Sequence, residues 1–149
     1  MNTFTPISTL QDCIGPEVTL AGWVYKNRPT GKLIFLTVRD GTGLCQCIIE
    51  KGEATADFFA DAKHLAQESS VTVRGTVRGD ERAVGGCELV VSGIGLVHAA
   101  RDYPITPQAH GVVFLMKHRH LWFCSRRQFL VLRITATGVG ASRKSFNRN

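Results

Sequence analysis

Arg28, Phe35 and Gln46 fall within one stretch, RPTGKLIFLTVRDGTGLCQ, residues 28–46, and their types suit a single task. An aromatic ring offers a stacking face worth about 1–3 kcal/mol per nucleobase, nearly blind to which base it holds. A glutamine amide carries a donor and an acceptor in one plane, so it can pair with the edge of an unstacked base. Uracil fits such an amide because its N3–H lies beside carbonyl oxygens. An arginine can hold a phosphate or stack by its guanidinium plane. A plainer reading stays open on residue types alone, with Phe35 packed under a loop and Gln46 an ordinary surface residue.

Metal and nucleophile chemistry finds less support. The five cysteines, at 13, 45, 47, 87 and 124, form no CxxC pair. Cys45 and Cys47 are two apart in an apparent strand and read as small core residues. His110, His118 and His120 have no cysteine or carboxylate cluster at ligand spacing, so no metal ligand and no catalytic residue is assigned. An odd cysteine count without a signal peptide suits reduced thiols and a cytoplasmic setting. No apolar run approaches the roughly 18 residues of a membrane span, so no membrane partner is expected.

The elements that must position the three side chains follow from hydrophobic period. In EVTLAGWVYK (17–26), Val18, Leu20, Gly22 and Val24 alternate with Thr19, Ala21, Trp23 and Tyr25, which predicts a strand. Gly22 inside it marks a bend or a close backbone approach. KLIFLTVRD (32–40) and LCQCIIE (44–50) are the second and third strands, joined by the turn residues Asp40-Gly41-Thr42-Gly43. Ile34, Leu36 and Val38 take the core face, leaving Phe35 outside. ATADFFADAKHLAQES (54–69) changes to helical spacing through Phe58, Ala62 and Leu65, with Phe59 and Ala66 widening the stripe. SVTVRGTVRGD (70–80) and CELVVSGIGLV (87–97) return to alternation, and ISTLQDCIG (7–15) suggests short helical turns.

Three strands, one helix, then two strands is the order of the OB-fold, an all-β five-stranded barrel with one helix. An unrelated small α+β sheet is the alternative on pattern alone. OB barrels bind oligonucleotides on the face around strands two and three, where Phe35 and Gln46 lie, but they also bind sugars and proteins.

Charge sharpens the location. Residues 1–100 hold nine Lys/Arg and eleven Asp/Glu, whereas residues 101–149 hold nine Lys/Arg and one acid. The net charge of +6 therefore belongs to the last third. Within the first hundred residues the informative feature is the cluster Lys26, Arg28, Lys32 and Arg39. From residue 99 the chain changes character. RDYPITPQAHG (101–111) reads as an extended linker because each proline restrains its predecessor. A helix is expected from Ser125, with Gly138 and Gly140 each costing about 1 kcal/mol within it.

With these residues in view, the chain resembles the N-terminal part of the asparaginyl-tRNA synthetase family, class IIb, close to the aspartyl and lysyl enzymes. VTLAGWVYKNRPTGKLIFLTVRDGTGLCQ and ESSVTVRGTVRGDERAVGGCELVV suit an OB-type anticodon-binding domain of that subclass. DYPITPQAHGVVFLMKHRHLWFCSRRQFLVLRI resembles the asparaginyl branch more specifically. The resemblance implies an OB-fold anticodon-binding domain over residues 1–100, a linker over 101–124 and the incomplete helical start of a class II catalytic domain over 125–149. It implies a tRNA of asparagine type as partner, with Phe35 stacking on the middle anticodon uridine and Gln46 reading its edge. Arg28 would touch the same base or its backbone, and Lys32 and Glu88 are further candidates along the loop. For Glu88 a solvated position on the outer face of strand five is the competing expectation.

Departures from the family pattern set the expected activity. Class II motifs two and three have no counterpart in this sequence, Thr135 and Cys124 stand where the family usually has arginine, and two glycines interrupt the motif-one helix. The chain is therefore expected to be a shortened relative, non-catalytic as it stands and needing no cofactor. ATP and Mg2+, and a homodimer, are implied only for the full-length family. The alternatives are a piece of a complete, ATP-dependent asparagine–tRNA ligase, or a general single-stranded nucleic-acid-binding OB module.

Overall fold

The computed structural model describes residues 4–105, 110–123 and 125–146. Its first unit, Met1–Asp102, is built on five strands: β1 (Glu17–Thr30), β2 (Leu33–Arg39), β3 (Leu44–Glu50), β4 (Ser70–Gly79) and β5 (Cys87–His98). They close into a barrel in the order β1-β2-β3-β5-β4. β4 returns to β1, and β3 pairs with β5 in parallel while the other pairs are antiparallel. One helix, α1 (Ala56–Lys63), lies between the third and fourth strands. This is the OB-fold that the element order predicts.

Period two decides what fills the barrel. Leu20, Val24, Ile34, Leu36, Val38, Val73 and Leu89 are buried, and Cys45 and Cys47 join them as core thiols. Phe59 and Ala62 of α1 and Ile7 and Leu10 of a 3-10 segment (Ile7–Cys13) belong to the same cluster. A Cβ on Gly22 would lie 2.3 Å from the carbonyl oxygen of Arg39, and one on Gly75 2.2 Å from that of Val90. Backbones cross there too closely for any side chain, as the glycine in the first strand suggests.

The helix is shorter than its sequence pattern. Periodicity predicts 54–69, but α1 stops at Lys63 and Ala66 is exposed. The reason is tertiary: the Glu68 N–H bonds the Val24 carbonyl at 2.7 Å, and the Val24 N–H bonds the Ser69 carbonyl at 2.9 Å. Those backbone bonds commit residues 68 and 69 to β1, and Glu68 takes a left-handed φ of 66° to make them. The Asp40–Gly43 turn also has its own device. The Asp40 carboxylate accepts from the N–H of Thr42 (2.7 Å), the Thr42 hydroxyl (2.7 Å) and the N–H of Gly43 (2.8 Å). It also accepts from the N–H of Ile7 at 2.9 Å, tying the 3-10 segment to the hairpin.

The second unit, Tyr103–Asn149, holds α2 (Val112–Lys117), α3 (Arg119–Trp122) and α4 (Arg126–Phe146). The expected linker includes residues 106–109 and Cys124, which lie outside the described residues. α4 runs on through Gly138 and Gly140 without stopping, with Thr135 and Thr137 returning hydroxyl bonds to Val131 and Arg133 carbonyls one turn back. Among the described residues, no helix is long and apolar enough to cross a membrane.

Candidate nucleic-acid interface

A bulge in β1 decides which way Arg28 points. Up to Val24 the strand alternates as its sequence predicts, but the register with β2 shifts between Val24 and Lys26, leaving Tyr25 as the extra residue. Parity reverses beyond it. Lys26 then pairs with Thr37 and Arg28 with Phe35, both on the outer face, while Asn27 pairs with core Leu36. Turned toward α1, the Asn27 amide donates to the carbonyls of Ala62 (2.9 Å), Lys63 (3.3 Å) and Leu65 (3.1 Å). Its two N–H donors are shared among carbonyls at and just beyond the helix end, of which that of Ala62 also accepts the Leu65 N–H at 3.4 Å.

Directly opposed residues on one face of an antiparallel pair interact. Arg28 and Phe35 are such a pair, and the guanidinium carbon lies 5.3 Å from the ring centroid. Phe35 is half-buried, so one part of the ring is supported and the remainder is open. The plainer expectation, a phenylalanine packed away under a loop, does not describe this ring.

Gln46 occupies the adjoining row. It pairs with Thr37 on one side and with Glu88 on the other, and Glu88 in turn pairs with Arg78 of β4. Gln46 is thus a diagonal neighbour of Phe35, which faces Ile48. The Gln46 amide nitrogen donates to Glu88 Oε2 at 3.3 Å. Arg78 Nε donates to Glu88 Oε1 at 2.8 Å, and Arg78 Nη2 bonds the same oxygen. Glu88 is only 2% exposed although it sits on the outer side of the sheet, because these two neighbours cover it. It is not the solvated strand residue that alternation left open. The hydrogen bond from Arg78 to the carboxylate raises the arginine's pKa further.

Lys32 stands apart, exposed at the tip of the β1–β2 hairpin, where its carbonyl accepts the Lys51 N–H at 2.8 Å. Two features of this face escape sequence reasoning. Arg78 is one, since its alternation shows only that it points outward. The other is a second aromatic–guanidinium pair, Trp23 with Arg39, 5.4 Å from guanidinium carbon to ring centroid. Arg39 also pairs with Glu68 at 2.5 Å, and Trp23 is 45% exposed. Its outward position was readable from the alternation of β1, but its arginine neighbour depends on the β1–β2 register.

Chemically, the face offers two rings with guanidinium neighbours, an amide whose oxygen takes no hydrogen bond among the described residues, and lysines at its margin. That is equipment for stacking and edge recognition.

Comparison with known proteins bears on the fold and the family. Residues 18–97 match the family model of the tRNA anticodon type, described as an OB-fold nucleic acid binding domain. The chain is 48% identical over 141 residues to an asparagine–tRNA ligase of Chloroflexus aurantiacus, covering 95% of this chain and 32% of that protein. It is 46% identical over 145 residues to an asparagine–tRNA ligase of Roseiflexus castenholzii, covering 95% of this chain and 33% of the relative. Among solved structures, asparaginyl-tRNA synthetase from Pyrococcus horikoshii, complexed with asparaginyl-adenylate, superposes with a TM-score of 0.89 at 34% identity. That match takes in 99% of this chain and 35% of the other. The chain spans about a third of the length of the proteins it matches. By its closed five-stranded barrel and the family model that covers 18–97, the chain belongs to the OB-fold nucleic acid binding domains of the tRNA anticodon family.

Proposed function

We propose that this chain recognises the anticodon loop of a tRNA of asparagine type, with the outer face of β1, β2 and β3 as the reading surface. The observation that carries the proposal is the Phe35 ring, paired with Arg28 beside a Gln46 amide whose oxygen takes no hydrogen bond among the described residues. Phe35 stacks on the middle anticodon base, a uridine in this subclass, and Gln46 pairs with its edge. Arg28 and Lys32 hold the backbone, and Glu88 acts within the same face. The asparagine assignment is supported by the 48% identity to an asparagine–tRNA ligase.

Residues 101–124 serve as a linker and 125–149 as the opening of a catalytic domain. We take the chain alone as non-catalytic, supported by the lack of counterparts to motifs two and three in its sequence, and as a cytoplasmic participant in translation. Asparagine-dependent pyrophosphate exchange by this chain alone would overturn the non-catalytic reading. For recognition, the test compares an asparagine-type anticodon stem-loop with poly-U. Clear preference for the stem-loop is expected, whereas equal affinity would favour a general single-strand binder.

A further inference from the structure

We infer that Glu88 is a positioning residue that locks the amide of Gln46 in one orientation, making this face select a base that carries an imino N–H. The inference rests on the anticodon reading above and adds what sets its selectivity. An amide is nearly symmetric in shape, and a half-turn about its last bond exchanges oxygen for nitrogen. A glutamine free to make that turn accepts from uridine N3–H in one state and donates to cytidine N3 in the other. It reads both bases. Selectivity needs something that forbids the turn.

Glu88 supplies it. The two residues face each other across the parallel β3–β5 pair, and the contact between them is Gln46 Nε2 to Glu88 Oε2, 3.3 Å. A carboxylate beside a guanidinium offers only acceptors, so the amide nitrogen must face it and the amide oxygen cannot. This fixes the assignment of the two amide atoms by chemistry. No hydrogen bond from the described residues reaches Gln46 Oε1. That oxygen and one remaining amide hydrogen are what a base meets, a pattern complementary to the N3–H and adjoining carbonyl of uracil. Cytidine would set its N3 lone pair against Oε1.

Glu88 is 2% exposed, and both of its oxygens are engaged, Oε1 by Arg78 and Oε2 by Gln46. Arg78 balances the buried charge and pins the carboxylate from the opposite strand, which keeps the anchor from swinging.

The test uses the full chain and two RNA stem-loops that differ only in the middle anticodon base, U or C, followed by fluorescence anisotropy. Wild type is expected to prefer U by about tenfold or more, the range that one well-placed bidentate pair provides. Glu88→Gln is expected to lower that preference below about threefold, chiefly by strengthening binding to the C loop, since an amide at 88 tolerates either face of Gln46. A merely structural role would weaken both loops together and leave the ratio alone, and that result would overturn the inference. Arg78→Gln, at an exposed position, is expected to lower the ratio as well and covers the case in which Glu88→Gln does not fold.

A readout without RNA separates this inference from the reading it rests on. In the free protein, the side-chain amide resonances of Gln46, assigned through Gln46→Met, are expected to move toward those of exposed glutamines in both Glu88→Gln and Arg78→Gln. Unchanged Gln46 signals would overturn the positioning role. Failure of wild type to bind either loop would instead overturn the anticodon reading.

Discussion

Arg28 and Phe35 face each other across the β1–β2 pair, the guanidinium 5.3 Å from the ring centroid, because a bulge at Tyr25 has turned Arg28 to the outer side. A ring held in this way loses little freedom when a base lands on it. Phe35→Ala is expected to weaken anticodon-loop binding by about 1–3 kcal/mol, and by a similar amount for any middle base, because stacking is nearly base-blind. Phe35→Trp should keep most of the affinity. Titration of the same stem-loops into each variant checks both statements.

Arg28 is expected to hold a phosphate as well as the ring. Each phosphate contact on a single strand contributes about 0.7 to the slope of log affinity against log salt. Arg28→Met should therefore reduce that slope by about 0.7 and weaken U and C loops alike. An unchanged slope would confine Arg28 to the base and the ring.

Asp40 gives the barrel a defined pH response. Partial burial works to raise its pKa, but hydrogen bonds from Ile7, Thr42 and Gly43 outweigh that and hold it below the ordinary carboxylate range. A group with a depressed folded pKa stabilises above its unfolded pKa, and the contribution is lost as pH falls through the folded value. Asp40→Asn is expected to cost about 1.5–3 kcal/mol at neutral pH, the range for hydrogen bonds to a charged group. The gap from wild type should narrow on acidification below the normal aspartate range. Urea unfolding at neutral and acidic pH measures it, and a gap that widens in acid would contradict the sign.

Asn27 joins the reading strand to the helix, its amide reaching three carbonyls at the end of α1. Asn27→Ala removes the donor and leaves partly buried carbonyls without it, at a cost of about 1–3 kcal/mol. Hydrogen exchange should speed up in α1 more than in β2 and β3. Uniform acceleration through the barrel would mean that the bond has no local role.

What the sequence made legible follows from which forces act locally. Ile34, Leu36 and Val38 alternate with Phe35 because one face of β2 is buried, and period two carries that information without any partner strand. Gly22 was readable because few reasons place glycine inside a strand. The outward turn of Arg28 was not readable, since a bulge leaves no mark on composition and reverses every position after it. α1 ended early because the Glu68 and Ser69 backbone pairs with Val24, more than 40 residues away in sequence. The burial of Glu88 depends on Gln46, 42 residues earlier, and on Arg78, ten residues earlier, meeting it from two different strands. Single-strand alternation contains neither neighbour. The residue types of the site were thus visible, while the contacts that orient them arise only on closing the barrel.

The most direct test of the account is the affinity of the unmodified chain for two asparagine-type anticodon stem-loops, identical except for U or C at the middle position, measured at one fixed salt concentration. The account predicts tighter binding of the U loop by about tenfold or more. Equal binding of the two loops would contradict it.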